Sequence, residues 1–263
     1  MNTDSTPPRI ASLVPSLTEL LAQMGLAAWL VARTGYCIHP AALVERVPKV
    51  GGTKDVNLAK LRRLEPTHVW VNIDENRLDT VETLRTFVPR VIVTHPCAPL
   101  DSLALIDVVQ AEYGHMPGVS ERAAILRTEL KTAWAALGAA TPTPSRVLYL
   151  IWRDPWMTVA RDTYISRLLA AVGMQTLPDR VGGDSGAARY PLVNSQEHWL
   201  MDVQQVLLSS EPYRFSEQHV SMAQALCPNA QVRFVDGELL SWYGARTAAG
   251  LRYAMALAAN PVR

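Results

Sequence analysis

Short apolar runs alternate with longer amphipathic segments along most of this 263-residue chain. The apolar runs, which we interpret as β-strands, are residues 9–14, 30–34, 68–72, 90–94, 146–152, 205–209 and 231–235. The amphipathic segments, which we interpret as helices, are residues 16–25, 58–64, 79–87, 100–113, 119–137, 164–172, 197–201, 216–226 and 245–259. Because parallel strands need crossover connections and helices supply them, this alternation predicts an α/β fold with parallel sheets.

One amphipathic segment is longer than the others. Its residues Leu126, Leu130, Trp134 and Leu137 follow one another at helical spacing and form a single apolar stripe. The turn-rich sequence GAATPTPS comes next, and a new strand begins after it. We therefore predict an N-terminal α/β lobe over residues 1–117, a connecting helix over residues 118–138 and a C-terminal α/β lobe over residues 139–263.

Ser16 and Glu19 are predicted to cap the first helix. A serine at the N-cap followed three residues later by glutamate is the pattern of a capping box, in which each side chain satisfies a backbone N–H of the first turn.

The composition excludes several classes of protein. The chain has 25 basic and 24 acidic residues, so neither nucleic acid nor an anionic membrane is an expected partner. No apolar run approaches the length that spans a bilayer, and no membrane insertion is expected. The three cysteines are an odd number and include no CxxC pair, so a disulfide framework is not expected. The start of the sequence has no leader pattern. The expectation is a cytoplasmic protein as written, or a periplasmic one if its leader is missing.

The strand that ends at Trp152 directs attention to a ligand site. The sequence RVLYLIWRDPWMTVA passes from an apolar run into aromatic and charged residues. In open parallel sheets, ligands bind beside the carboxyl ends of the strands. The residues that follow the predicted strands and that we expect to contact a ligand are Tyr36, Asp74, Glu75, Trp152, Arg153, Trp156, Trp242, Tyr243 and Arg246. Glu211 and Tyr213 also follow a strand.

Some of these residues have a structural alternative. Arg153 could instead form a salt bridge with Asp154 or Asp162 that shapes its loop. Trp242, Tyr243 and Arg246 could instead pack the start of the last helix.

Two Cys/His pairs also follow predicted strands. Cys37 with His39, and His95 with Cys97, offer thiolate and imidazole groups of the kind that bind soft metals. Neither pair has zinc-finger spacing, and a buried cysteine usually behaves as a small apolar residue. A metal site formed by these four residues is thus one reading, and core packing is the other.

Four stretches of the sequence carry a family resemblance. They are RIASLVPSLTELLAQMG, GYCIHP, VGGTKDVNLAKLRRLEPTHVWVN and YLIWRDPWMTVARDTYISRLLAAVG. Together they resemble the helical-backbone (class III) solute-binding proteins, which capture cobalamin, haem or ferric siderophores. The resemblance implies two Rossmann-like α/β lobes with parallel sheets, joined by one long rigid helix, with the ligand held between the lobes.

The resemblance also assigns roles to single positions. Trp242 matches a tryptophan that contacts the corrin, and Tyr36 lies in a loop that supplies another aromatic contact. Thr53 and Lys54 stand where a further tryptophan is expected, so that contact is absent. Ala59 and Gly244 stand where acidic residues dock on an ABC permease, which makes docking doubtful.

The sequence therefore predicts a binding protein, not an enzyme, for a bulky flat or chelated ligand, either cobalamin or another tetrapyrrole. No resident cofactor is expected to be required. One alternative is a ferric-siderophore or metal-chelate binding protein of an ABC transporter. A second is a cytoplasmic enzyme using Asp74, Glu75 and His95 with Ser16 as nucleophile, although no catalytic motif is present. A third is a protein-docking patch at residues 152–157.

Overall fold

The computed structural model describes residues 7–138 and 144–259, and the middle of the predicted linker GAATPTPS lies outside them. The described chain forms two compact units. One comprises residues 7–95 and 103–127, and the other comprises residues 96–102, 128–138 and 144–259. We call them the N-terminal and C-terminal units. The short segment 96–102 belongs to the C-terminal unit although residues of the N-terminal unit lie on both sides of it in sequence. The lobe boundaries predicted from the sequence stay a prediction.

The N-terminal unit contains one four-stranded parallel sheet. Its strands are β1 (Ile10–Ser12), β2 (Leu30–Arg33), β3 (His68–Asn72) and β4 (Arg90–Thr94). Its helices are α1 (Pro15–Leu21), α2 (Ala41–Val44), α3 (Leu58–Arg63), α4 (Leu78–Arg85) and parts of α5 (Asp101–Tyr113) and α6 (Val119–Leu137). The strand order is β2-β1-β3-β4, and all neighbouring pairs are parallel.

The core of the N-terminal unit lies against this sheet. Strand residues Ala11, Val69 and Val71 are fully buried, as the continuous apolar runs predict. They pack with Leu61 and Leu84 of the flanking helices. Burial of these side chains holds the carboxyl ends of the strands in fixed register, which positions the loops that follow them.

The C-terminal unit contains a second four-stranded parallel sheet. Its strands are β5 (Ser145–Leu150), β6 (Met174–Thr176), β7 (Gln205–Ser209) and β8 (Gln231–Val235). Its helices are the rest of α5 and α6, together with α7 (Tyr164–Ala171), α8 (Gln218–Leu226), α9 (Gly237–Ser241) and α10 (Thr247–Ala259). The strand order is β6-β5-β7-β8, again parallel throughout.

Strands β5 and β7 form the centre of the C-terminal core. Leu148, Leu150, Val206 and Leu208 have no solvent exposure and share one apolar cluster. The chain therefore has the predicted α/β class, with two parallel sheets. Within the described residues, no helix is both long and apolar enough to cross a membrane.

The predicted capping box of the first helix is wrong. Helix α1 begins at Pro15, its N-cap is Val14, and no side chain caps it. Proline suits this first helical position because its missing N–H has no partner to lose. The Ser16 side chain is buried, and its Oγ has no hydrogen-bond partner among the described residues.

Other elements also differ from the prediction. Strand β6 and the helices α2 and α9 are present but were not predicted, because all three are too short to show a periodic pattern. The predicted helix over residues 197–201 is a 3-10 turn, His198–Asp202.

The glycines of the VGG sequence have a local explanation. Gly51 has a φ of 99°, and a Cβ there would lie 2.2 Å from the carbonyl oxygen of Asp55. Only glycine fits that position without displacing backbone. At Gly52, a Cβ would lie 3.4 Å from Cε2 of Tyr36, which is about an ordinary van der Waals contact, so the Tyr36 ring lies against this loop.

Candidate functional site

In each sheet, the chain leaves two neighbouring central strands in opposite directions, and we call the gap between them the divergence point. In the C-terminal sheet these strands are β5 and β7, because the strand after β5 is β6 on one side and the strand after β7 is β8 on the other. In the N-terminal sheet, β1 and β3 are the corresponding pair. Ligands of open α/β sheets bind beside the carboxyl ends of such strand pairs. In the C-terminal unit this point is lined by residues 151–157 and 210–213.

Aromatic side chains cluster at the carboxyl ends of β5 and β7. Trp152 is 41% exposed, and its ring meets the Tyr213 ring edge-on at 5.4 Å. The Tyr213 ring lies 4.8 Å from that of Phe215, which stacks on Trp156 at 6.0 Å. Phe215 is buried, whereas Tyr213 and Trp156 are half-buried. We call Trp152, Trp156, Tyr213 and Phe215 the aromatic ladder; it joins the exposed Trp152 face to the core.

Arg153 lies on the ladder. Its guanidinium is 4.5 Å from the Trp156 ring centroid, a cation–π distance. It forms an ion pair with Asp154, one of the two structural alternatives predicted for it. The other, Asp162, is paired with Arg189 at 3.7 Å instead. Arg153 is thus held over an aromatic ring, and Asp154 neutralises part of its charge.

Trp242 and Tyr243 are buried, at 5% and 6% exposure. Tyr243 packs edge-on against Tyr164 at 5.8 Å, within the C-terminal unit. The Arg246 guanidinium lies 4.7 Å above the Trp242 ring and forms an ion pair with Glu238 at 2.9 Å. These contacts pack the three residues around the start of the last helix, which is the alternative considered from the sequence. Their contact with a ligand stays a prediction.

Glu211 follows β7 and receives two short hydrogen bonds. Ser241 Oγ donates to its Oε1 at 2.6 Å, and Trp242 Nε1 donates to the same oxygen at 2.7 Å. Burial raises the pKa of Glu211, and the carboxylates of Glu238 and Asp236 raise it further, although the two hydrogen bonds oppose this. This carboxyl is therefore part of the internal support of the site.

In the N-terminal unit, Tyr36 is the exposed aromatic residue of the predicted set. It is 65% exposed and follows β2. After β3 and β4, the half-buried side chains of Asp74 and His95 meet, with Asp74 Oδ2 3.4 Å from His95 Nε2. Lys54 Nζ donates to the carbonyl oxygen of Asp74 at 2.7 Å. Glu75 is half-buried beside them in sequence, and its backbone N–H donates to the Asn72 carbonyl at 3.3 Å.

The predicted metal site has no support in the structure. Among the residues described, no three His, Cys, Asp or Glu side chains are grouped to hold a metal ion. Cys37 is fully buried, its thiol lies 3.0 Å from Thr18 Oγ1 and 3.2 Å from Thr34 Oγ1, and burial raises its pKa. Cys97 belongs to the C-terminal unit, where Arg189 Nη2 lies 3.4 Å from its sulfur. His39 is half-buried, two residues after Cys37 in sequence. Core packing, the other reading, accounts for Cys37.

The two predicted docking positions differ in exposure. Ala59 is exposed on α3. Gly244 is buried, has a φ of 79°, and donates its N–H to Ser102 Oγ at 3.0 Å. Gly244 therefore does not lie on the surface, and the predicted doubt about permease docking stays a prediction.

The enzyme alternative lacks an activated nucleophile. Because Ser16 Oγ has no hydrogen-bond partner among the described residues, no base there contacts it. The sequence did not single out Phe215, His219 and Met222. Phe215 and His219 pack on Tyr213, and Met222 Sδ lies 4.0 Å from Arg153 Nη2. All three follow β7, and Phe215 and His219 lie within ten residues of its end.

Comparisons with known proteins agree with this architecture. No family model matches the chain. A curated vitamin B12-binding protein from Photorhabdus laumondii is 27% identical over 171 residues, which are 64% of this chain and 60% of that protein. The match therefore spans less than two thirds of the relative.

Solved structures match over nearly the full length. The periplasmic vitamin B12-binding protein BtuF of Vibrio cholerae has a TM-score of 0.78 at 19% identity, covering 95% of this chain and 96% of that one. The haem-binding protein HutB of Vibrio cholerae has a TM-score of 0.75 at 22% identity, with 96% and 99% covered. The haem-binding protein RhuT of Roseiflexus sp. RS-1 has a TM-score of 0.74 at 19% identity, with 97% of each chain covered. This chain therefore has the fold of the periplasmic vitamin B12-binding and haem-binding proteins, the class of solute-binding protein that its sequence resembles.

Proposed function

We propose that this protein binds a bulky, flat ligand, cobalamin or another tetrapyrrole, against the aromatic ladder at the carboxyl ends of β5 and β7. The observation that carries the proposal is the exposed Trp152 ring at the divergence point of the C-terminal sheet. A ligand that covers such a ring removes apolar area from water, which contributes about 1.5–3 kcal/mol for a large side chain.

Arg153 gives this surface a charged group beside the aromatic face. Its guanidinium is pre-positioned by the Trp156 ring at 4.5 Å, so less side-chain entropy is lost when it pairs with a ligand carboxylate or phosphate. Tyr36 is the matching exposed aromatic residue of the N-terminal unit. That both units contribute to one interlobe cleft stays a prediction from the sequence.

The names of the relatives support a binding role over an enzymatic one. The curated relative is described as a vitamin B12-binding protein, and several structural matches are described as haem-binding. A ferric chelate is the second candidate ligand, because a structurally similar Staphylococcus epidermidis protein is described as a possible iron-binding solute-binding protein.

Service to an ABC permease is a separate question from ligand binding. Ala59, an exposed alanine, leaves one predicted docking position without a charge. We infer that the protein does not dock on a permease through that position. The cytoplasmic location predicted from the sequence stays a prediction, and fractionation of the native cell with an antibody tests it.

The experiment titrates the purified protein separately with cyanocobalamin, hemin and a ferric siderophore. Binding is measured by calorimetry and by the absorbance of the ligand. We expect saturable binding of a tetrapyrrole with a one-to-one stoichiometry. Trp152→Ala is expected to weaken that binding about tenfold or more, since it removes the exposed ring.

Trp199→Ala is the matched control. Trp199 lies in the 3-10 turn before β7, at the amino end of the same sheet, so its loss should leave the affinity unchanged. Absence of saturable binding to all three ligands refutes the proposed function. Binding of the ferric siderophore alone would favour the second candidate.

A further inference from the structure

The contacts of His219 fix which of its ring nitrogens carries the proton. This side chain is 4% exposed, and its Nδ1 lies 2.9 Å from the backbone nitrogen of Ser216 and 3.1 Å from Ser216 Oγ. A backbone N–H only donates, so Nδ1 accepts. Nδ1 is also 3.2 Å from the Ser216 carbonyl oxygen, but that oxygen already receives the backbone N–H of His219 at 2.9 Å. The ring proton is therefore assigned to Nε2.

That assignment determines the direction of the Tyr213 hydroxyl. His219 Nε2 lies 3.1 Å from the phenolic oxygen of Tyr213. Because Nε2–H donates, the Tyr213 oxygen accepts, and its own proton points away from the histidine. The two rings are perpendicular at 5.5 Å, a geometry that restrains the phenol further. The hydrogen bond with His219 uses Tyr213 as the acceptor, and no described residue accepts the Tyr213 hydroxyl proton.

Tyr213 occupies the place where a ligand is expected. It follows β7 at the divergence point of the C-terminal sheet, is half-buried, and touches the exposed Trp152 edge-on at 5.4 Å. An oriented donor beside an exposed aromatic face suits a ligand that has a flat apolar surface and oxygen acceptors on its rim. Carboxylate and amide carbonyl oxygens are acceptors of this kind.

We propose that Tyr213 is a ligand-binding residue that donates its hydroxyl proton to a carboxylate or amide oxygen on the rim of the molecule covering Trp152. His219 is the positioning residue that orients this donor. The proposal deepens the proposed function and rests on it, and it gives Tyr213 a specific polar role at the ligand rim.

The first test compares Tyr213→Phe with the wild-type protein. The phenylalanine keeps the ring contacts with Trp152 and Phe215 but loses the donor. We expect affinity for the bound tetrapyrrole, cyanocobalamin or hemin, to fall about threefold to tenfold. Tyr253→Phe is the control, because its hydroxyl also accepts a hydrogen bond in the same unit, from the backbone N–H of Asp236 at 3.0 Å. It should leave affinity unchanged.

A second arm uses a ligand without rim acceptors. Iron etioporphyrin has only alkyl groups on its rim, so Tyr213→Phe should not weaken its binding. If the wild type binds a tetrapyrrole and Tyr213→Phe binds it equally well, this inference is overturned while the proposed function stands. If the wild type binds none, both are overturned. An equal loss of hemin and etioporphyrin affinity also refutes the donor role.

A third arm does not depend on any ligand. In ¹⁵N-histidine-labelled protein, the His219 resonances, assigned with His219→Phe, should show an unprotonated Nδ1 and a protonated Nε2. The Tyr213→Phe variant should keep the Nδ1 signal, because Ser216 still donates to it. A proton on Nδ1 in the wild type would contradict the orientation of the Tyr213 hydroxyl and thus the proposal.

Discussion

Trp242 Nε1 and Glu211 Oε1 are joined by a hydrogen bond of 2.7 Å across 31 residues of sequence. The bond links the loop after β7 to the segment before the last helix. It gives Trp242 a structural role within its own unit, whereas ligand contact by its ring stays a prediction from the sequence. Two predictions test this relationship.

Glu211→Gln should change how stability depends on pH. The folded-state pKa of Glu211 is raised above its ordinary value of 4.5, mainly by burial. Such a group stabilises the fold fully below the unfolded pKa, and this contribution is lost as pH rises through the raised pKa. Glutamine retains an acceptor oxygen for Ser241 and Trp242 but does not titrate. The variant should therefore gain stability relative to the wild type as pH rises from about 4 to about 8. Urea unfolding at each pH measures the difference, and a difference that does not vary with pH contradicts the prediction.

Substitutions of Trp242 should lower stability without abolishing ligand binding. Trp242→Ala is expected to cost about 3–5 kcal/mol, as for other buried aromatic residues. Trp242→Phe should cost about 1–3 kcal/mol, since it leaves Glu211 without one buried donor. Urea unfolding gives both values. Because the ring is not on the proposed ligand face, Trp242→Phe should keep the affinity of the wild type; a stable variant with tenfold weaker binding would show that Trp242 does contact the ligand.

Much of the fold could be predicted from local pattern. The strands over residues 68–72, 90–94, 205–209 and 231–235 and the helix over residues 119–137 match their predicted bounds, because each has a long enough apolar pattern between turn signals. The capping box at Ser16 failed because Pro15 begins the helix one residue earlier and leaves no N-cap role for the serine side chain.

Gly51→Ala should destabilise the protein more than Gly183→Ala. Both glycines have a left-handed φ, 99° and 82°, so both substitutions introduce backbone strain of about 1 kcal/mol. Only at Gly51 would the new Cβ meet backbone, at 2.2 Å from the Asp55 carbonyl oxygen, whereas nothing lies within 4 Å at Gly183. We expect Gly51→Ala to cost at least about 1 kcal/mol more in urea unfolding. Equal effects would mean that the loop relaxes around the added methyl group.

The cysteines should differ in reactivity. Cys37 and Cys227 are buried, and burial raises the pKa of both thiols, that of Cys227 to about 12. Cys97 is half-buried, with the Arg189 guanidinium 3.4 Å from its sulfur. Since thiolate and access control alkylation, iodoacetamide should modify Cys97 roughly tenfold faster or more in the native protein. Mass spectrometry of timed digests measures this, with urea-unfolded protein as the control in which all three react. Equally fast modification of Cys37 in the native protein would contradict its buried position.

The site was less predictable than the fold. Sequence position predicted Trp152, Arg153 and Trp156 at the carboxyl end of β5, because that end lies at the ligand edge of a parallel sheet. It did not indicate that Trp152 is exposed while Trp242 is buried with its indole bonded to Glu211. Nor did it indicate that His219, ten residues after the end of β7, contacts Tyr213, since that contact depends on how α8 packs against the sheet.

The central claim is that a flat ligand covers Trp152, and ¹⁹F NMR of protein labelled with 5-fluorotryptophan tests it most directly. The chain has seven tryptophans, and single Trp→Phe variants assign their signals. Titration with diamagnetic cyanocobalamin and gallium protoporphyrin should, for the ligand that binds, shift the Trp152 resonance strongly and leave those of Trp199 and the buried Trp70 unmoved. A Trp152 resonance that stays in place at saturation with a bound ligand would contradict the account. So would a protein that binds neither compound.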